Sequence, residues 1–141
     1  MKIILCDTNI VFPLFARIIQ WKEILQSEIF LLAQKHEVYI SETVLLELDE
    51  NLKEQFDILL EPGHVELFLK ASGILLSWSR DFKKELVNYV NDIDDAQILQ
   101  DAIDISADFL LSRNTKDFDL RKIQQTFGIK VIGYIIPELL V

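Results

Sequence analysis

The chain has 141 residues, a formal net charge of −9, a hydrophobic share of 50% and a single cysteine. That length suits one domain with its own core. The acidic balance excludes a general electrostatic nucleic-acid binder, although an acidic protein can still act on nucleic acid when divalent cations lie between its carboxylates and the phosphates. The lone Cys6 rules out an internal disulfide and suits a reducing cytoplasm. No apolar run approaches the roughly twenty residues of a membrane helix, and Asp7 interrupts the first apolar segment, so no signal peptide is expected. The high hydrophobic share predicts a buried partner surface.

In chain order, Lys2 to Cys6 is a short apolar run that ends in Asp7-Thr8-Asn9 and reads as a buried parallel strand, with Cys6 a small core residue inside it. Thr8 or Asn9 is expected to cap the next helix, with Pro13 in its first turn. That helix, Ile10 to Ile19, is apolar almost all round. A second, about Trp21 to Gln34, repeats the habit with Ile24, Leu25, Ile29 and Phe30. Helices apolar on every side are either central or covered by something else, so a wide helix core and a homodimer or partner helix both remain open. Glu37 to Ile40 is a second strand. Ser41 is a plausible cap for a helix carrying Val44, Leu45, Leu48, Leu52 and Phe56 on one face and Glu47, Glu50 and Glu54 on its flank.

Glu61-Pro62-Gly63 is the clearest break, followed by a short helix from His64 to Ala71. Gly73 to Trp78 and Glu85 to Val90 are ambiguous, and a strand is expected at Leu86 to Val90. Three aspartates follow, Asp92, Asp94 and Asp95. The helix after them has Ile98, Leu99, Ala102, Ile103 and Ser106 on one face and Gln97, Gln100, Asp101 and Asp104 on the other. Asp92 or Asp94 suits the N-cap. Asp95, one turn before Leu99, points toward the buried face, where a carboxylate is costly unless paired or metal-bound. Taken alone, the three acids are equally well read as caps and helix-dipole partners. Phe109 to Leu111 is a strand, Ser112 to Asp117 its polar tail, Leu120 to Phe127 a helix ended by Gly128, Ile129 to Ile132 a last strand, and Pro137 to Leu140 a closing helix. Strands alternating with helices predict a mostly parallel sheet covered on both faces.

Several chemistries drop out. With four glycines there is no Gly-rich phosphate loop. Cys6, His36 and His64 lack zinc-ligand spacing, and a Cys–His nucleophile pair would require Cys6 to leave its strand. What remains is Asp7, Asp95, Asp117, Glu47 and the polar Asn114 near strand ends or helix starts. Such carboxylates repel one another, and a hard divalent cation with oxygen ligands relieves the repulsion.

The segments ILCDTN, SETVLLEL, NDIDDAQIL, ADFLLSRNTKDF and VIGYIIPELL together resemble the PIN-domain ribonucleases, in particular the toxin-like branch of toxin–antitoxin modules. The matches run in family order over nearly the whole chain. The resemblance implies a single PIN-like nuclease domain over 1–141 and an α/β fold, a three-layer α/β/α sandwich with a mostly parallel sheet of four or five strands. It implies a metal-dependent endoribonuclease, in which Asp7, Glu47, Asp95 and Asp117 serve catalysis. Asp7, Asp95, Asp117 and Asn114 would hold Mg²⁺ or Mn²⁺, and Thr8, Asn9 and Ser112 would orient the carboxylates. Many members end the strand with Thr-x-Asp. Here Ser112-Arg113-Asn114 stands there, so Asn114 and Asp117 share the fourth position, and the neutral Asn114 is expected to weaken a second metal. Arg113 and Lys116 are the candidate contacts for a substrate phosphate. The implied partners are an RNA substrate, a second copy of the chain and an antitoxin protein, in the cytoplasm and away from membranes. Two other classes compete: a catalytically weakened PIN-like protein- or RNA-binding module, and a phosphoacceptor signalling domain. The latter wants an acidic pair after the first strand and a lysine after the last, where this chain has one acid and Gly133-Tyr134.

Overall fold

Ile4, Leu5 and Cys6 are all fully buried. Successive strand residues point to opposite faces of a sheet, so the strand they form must be covered on both sides. That strand, β1 (Ile3–Cys6), is the centre of a five-stranded sheet in the computed structural model, which describes residues 1–21 and 27–141. Its companions are β2 (Glu37–Ser41), β3 (Leu75–Ser77), β4 (Phe109–Leu111) and β5 (Lys130–Ile132). They lie in the order β3-β2-β1-β4-β5, and every neighbouring pair is parallel. The helices are α1 (Thr8–Trp21), α2 (Glu28–Lys35), α3 (Glu42–Phe56), α4 (Pro62–Ser72), α5 (Ile93–Asp104) and α6 (Leu120–Phe127). The fold is α/β, with an all-parallel sheet. The strand order reverses at β1, with β2 and β3 added on one side and β4 and β5 on the other. In open α/β sheets ligands bind beyond the carboxyl ends of the strands at such a switch point.

Local chemistry accounts for most boundaries. Ser41 ends β2 and caps α3 by accepting from the Val44 N–H at 3.4 Å, and Ser27 caps α2 through the Ile29 N–H at 3.2 Å. Pro62 opens α4, where its missing N–H has no helical partner to lose. Gly73 and Gly128 end α4 and α6 in the left-handed region, at φ 76° and 70°.

Some expectations need correcting. Leu86 to Val90 is not a strand. Lys84–Tyr89 forms a 3-10 helix in which Leu86 alone is buried, and Val90 makes only an isolated antiparallel bridge to Phe118. The third strand is Leu75–Ser77, a three-residue edge strand lacking any fully buried residue, so it offers little apolar pattern to read. Helix α1 begins at Thr8, so Pro13 sits in its second turn, and the Asn9 carbonyl loses its helical donor there. The apolar residues of α1 and α2 are mainly core: Val11, Phe15, Ile18, Ile29, Phe30 and Leu32 are buried against the rest of the chain, and Leu31 is exposed. The part of the expected second helix with Ile24 and Leu25 lies outside the described residues. Phe56 is exposed rather than buried, and its ring stacks on Phe12 with centroids 6.2 Å apart.

The polar face assigned to α5 is also only half right. Gln100 and Asp101 are each 1% exposed, while Ser106 is exposed. Helix α5 packs on β1 and β4 and is covered again by the 3-10 segment Lys84–Tyr89, so two of its sides are enclosed. Gln97, Gln100 and one oxygen of Asp101 are satisfied internally, while the buried Asp101 Oδ2 has no hydrogen-bond partner among the described residues. Gln100 accepts from the Lys83 N–H at 3.0 Å and donates to Asp104 at 2.9 Å, and Gln97 donates to Asp101 at 3.1 Å.

Candidate active site

The site begins one residue past β1. The Asp7 N–H donates to the Leu111 carbonyl at 2.9 Å, extending the β1–β4 pairing beyond the strand and fixing the backbone that carries the carboxylate. Both carboxylate oxygens are held: Oδ1 accepts from the Thr8 N–H and Oδ2 from the Ser112 hydroxyl, each at 2.8 Å. Burial pushes the Asp7 pKa up, while these two hydrogen bonds pull it back. Cys6, fully buried next to it, has its thiol pushed up to about 12, by burial first and by the Asp7 charge second. It is inert core.

Two further side chains, Thr8 and Asn9, brace the surroundings of this carboxylate. The Thr8 hydroxyl donates to Glu47, tying the start of α1 to the second turn of α3. Asn9 spans the gap to β4: its Nδ2 donates to the Ser112 hydroxyl at 3.5 Å, and its Oδ1 accepts from the Arg113 N–H at 3.0 Å. Ser112 also accepts from the Asn114 N–H at 3.3 Å. Ser112 is fully buried although polar, because its hydroxyl is fully engaged between Asp7, Asn9 and Asn114.

The opposing wall is the first turn of α5. Asp92 is the N-cap, accepting from the Asp94 N–H at 3.0 Å, so one of the three aspartates is indeed a cap. Asp95 is half-buried and does something else. Its pKa is pushed up to about 7, by burial and then by the negative charges of Asp7, Asp117, Asp92 and Glu47. Glu47 is raised too, by burial, against the Thr8 hydrogen bond that lowers it and with Asp7, Asp94 and Glu50 adding repulsion. Among the described residues neither ion pair touches these acids: they join Lys70 to Glu66 and Arg80 to Asp104.

Asp7, Thr8, Glu47, Asp94, Asp95 and Asn114 line one cavity of about 370 Å³, with Asn51, Phe12 and Pro13 completing its wall. Asp117, on the 3-10 turn Thr115–Asp117, is not in that lining and reaches Asp95 only through its charge. Arg113 faces a different cavity, beside Tyr134, and Lys116 is exposed and lines neither. Two polar lining residues are not among the site residues expected from the sequence: Asn51, and Asp94, which reads there only as a cap or dipole partner. Asn51 was findable, because it stands one helical turn after Glu47 and therefore on the same face.

The donors in this cavity are hard oxygens on a half-open wall, the ligand type that Mg²⁺ and Mn²⁺ take while keeping several waters. Among the described residues no three Asp, Glu, His or Cys side chains converge tightly enough to enclose an ion unaided. The acids line an open cleft, not a cage, and water or a substrate oxygen would complete any coordination shell.

No protein-family model matches the sequence, and no curated protein matches it. Solved structures do match. Over 94% of this chain and 99% of the other, the fold follows that of a chain in the crystal structure of VapBC2 from Rickettsia felis bound to a DNA fragment from their promoter, with a TM-score of 0.57 and 18% sequence identity. The chain has a PIN-like α/β fold. At that identity the likeness is one of architecture, and the chemistry rests on the chain's own residues. Among the described residues no helix is long and apolar enough to cross a membrane.

Proposed function

We propose that the chain is a single PIN-like nuclease domain over 1–141, a metal-dependent endoribonuclease hydrolysing RNA phosphodiester bonds as the toxin component of a toxin–antitoxin module. The observation that carries this reading is the gathering of Asp7, Glu47 and Asp95 on one cavity, at the sheet's switch point, with no protein cation paired to any of them among the described residues. A protein does not hold carboxylates against one another without compensation. Asp7, Glu47 and Asp95 would hold Mg²⁺ or Mn²⁺, with Asn114 on the same wall and Asp117 adding negative charge from outside it. Such an ion, when bound, lowers the pKa of water and neutralises charge developing on a phosphoryl group.

The chain's own residues do the rest. Ser112 and the Thr8 N–H fix Asp7 at both oxygens, so its orientation needs no reorganisation when substrate arrives. Thr8 holds Glu47 in the same way, and Asn9 keeps the tail of β4 against the start of α1. Asp95, raised to about 7, gives up its proton on cation binding, which makes binding dependent on pH.

An antitoxin is the expected partner, a reading that the likeness to a chain of the VapBC2 complex supports, and the cytoplasm is the expected compartment. A second copy is the other expected partner, although most described apolar residues of α1 and α2 are already occupied in the core. A second reading, a weakened PIN-like binding module, draws support from Asn114, a neutral amide on the cavity wall that Asp117 does not join. Cleavage of a labelled single-stranded RNA, with Mn²⁺ or Mg²⁺ and then with chelator, tests the proposal. Metal-dependent cleavage by the wild type and none by Asp7→Asn purified in parallel is the expected result. No cleavage by either would favour the binding module.

A further inference from the structure

Because all five strands run the same way, the segments that follow them emerge along one edge of the sheet. The acid cavity occupies the middle of that edge, beyond β1. At its two ends, just past the edge strands β3 and β5, stand two uncovered aromatic residues. Trp78, the residue after β3, is 76% exposed, and Tyr134, two residues after β5, is 70% exposed. Large rings left in water forgo a substantial hydrophobic gain. A hollow also lies at each end of the edge. A cavity of about 480 Å³ is lined by Leu46 and by Ser79 and Arg80, which directly follow Trp78 in the chain; it shares Glu47 and Asp94 with the acid cavity, and Trp78 stands outside its lining. Tyr134 lines one of about 300 Å³ with Ile10 and Arg113, and the Arg113 N–H is tied to Asn9. The two edge strands are four strand spacings apart, or roughly 19 Å.

We propose that a single strand of RNA lies extended along this edge, with one base stacked on Trp78, another on Tyr134, and the intervening backbone over the Asp7–Asp95 cavity. This rests on the endoribonuclease reading above. Stacking needs unpaired bases, which a duplex does not offer. Base–aromatic stacking is uncharged and tolerant of sequence, so it supplies affinity that a chain of net charge −9 cannot draw from general attraction to phosphates. Arg113, in the hollow that Tyr134 lines, places a cation at one end of the edge, whereas Arg80 at the other end is already paired with Asp104. A protein partner would call for one contiguous apolar patch, whereas these rings stand at opposite ends of the edge with acids between them.

The test uses the Asp7→Asn protein, which keeps the strand intact, with Mg²⁺ and a short single-stranded RNA of mixed sequence. Saturable quenching of tryptophan fluorescence that Trp78→Phe abolishes is expected. By anisotropy of the labelled RNA, Trp78→Ala and Tyr134→Ala should each weaken binding roughly ten-fold. The double variant should weaken it by the product, and Trp78→Phe and Tyr134→Phe should keep most of the affinity. In the otherwise wild-type chain the alanine variants should raise KM and leave kcat nearly unchanged. Unaltered RNA affinity in both alanine variants would overturn the proposal. So would a change in oligomeric state on Trp78→Ala, seen by light scattering, because the ring would then cover a second copy. If the wild type never cuts RNA but the quenching and affinity losses appear, the docking edge stands and the catalytic reading fails. Cleavage indifferent to both rings would instead overturn the docking edge and leave the catalytic reading standing.

Discussion

The two ends of α5 present acids in opposite company. At its carboxyl end Asp104 receives the Arg80 guanidinium through two contacts, at 2.7 and 2.8 Å, and the Gln100 amide at 2.9 Å, while Asp101 receives Gln97 at Oδ1 and leaves its buried Oδ2 unpartnered among the described residues. At its amino end Asp95 faces Asp7, Glu47, Asp92 and Asp117, and no protein donor among the described residues reaches its carboxylate. One helix therefore carries an acid that the chain pairs with its own cation, Asp104, and an acid, Asp95, that it leaves to something from outside. The first kind is architecture. The second kind marks a site, because repulsion retained in a folded protein persists only where something else offsets it.

The sharpest way to break this contrast is to neutralise each kind in turn. Asp7→Asn and Asp95→Asn should lower metal-dependent RNA cleavage by on the order of a hundred-fold or more, the lower range for a positioned acid–base group, while circular dichroism stays that of the wild type. Ser112→Ala removes the donor to Asp7 Oδ2 and should cost about ten- to a hundred-fold in cleavage or Mn²⁺ affinity, the usual weight of a group that orients a metal-binding carboxylate. On the structural side, Gln100→Ala leaves the Lys83 N–H without its acceptor. It should destabilise the fold by about 1–3 kcal/mol in urea unfolding and leave kcat unchanged. Loss of cleavage and stability together in Asp7→Asn would mean that the two kinds of acid do not differ.

The smallest effect follows from pH. Asp95 rises from an ordinary 3.8 to about 7 on folding, so between those values the folded chain binds more protons than the unfolded one. Stability from this group is therefore lost as pH rises from about 4 toward 7. Without divalent cations, melting should occur at a higher temperature at pH 5 than at pH 8. Asp95→Asn should flatten that difference, and Mn²⁺ should raise the melting temperature more at pH 8 than at pH 5. Differential scanning calorimetry across that range checks all three.

Much of the contrast was legible in the sequence, for a physical reason. Parallel strands buried on both faces must be apolar runs, so Ile3–Cys6 and Phe109–Leu111 declared themselves, and Asp7 and Ser112 were then placed at their ends. What escaped was set by packing rather than by local pattern. Gln100 and Asp101 read as surface because polar residues usually are, yet the 3-10 segment covers them. Leu75–Ser77 is an edge strand too short and too exposed to alternate. The sequence resemblance ranked Asp117 above Asn114 by charge, whereas Asn114 lines the cavity and Asp117 acts on it from outside. Chain geometry at the end of β4 decides that, and residue type does not report it.

The most direct measurement is calorimetric titration of Mn²⁺ into the wild type, Asp95→Asn and Asp104→Asn at pH 7. If the uncompensated acids hold the cation, the wild type binds it saturably with release of protons, Asp95→Asn binds little or none, and Asp104→Asn binds as the wild type does. Equal binding by all three proteins, or none by the wild type, would contradict that assignment.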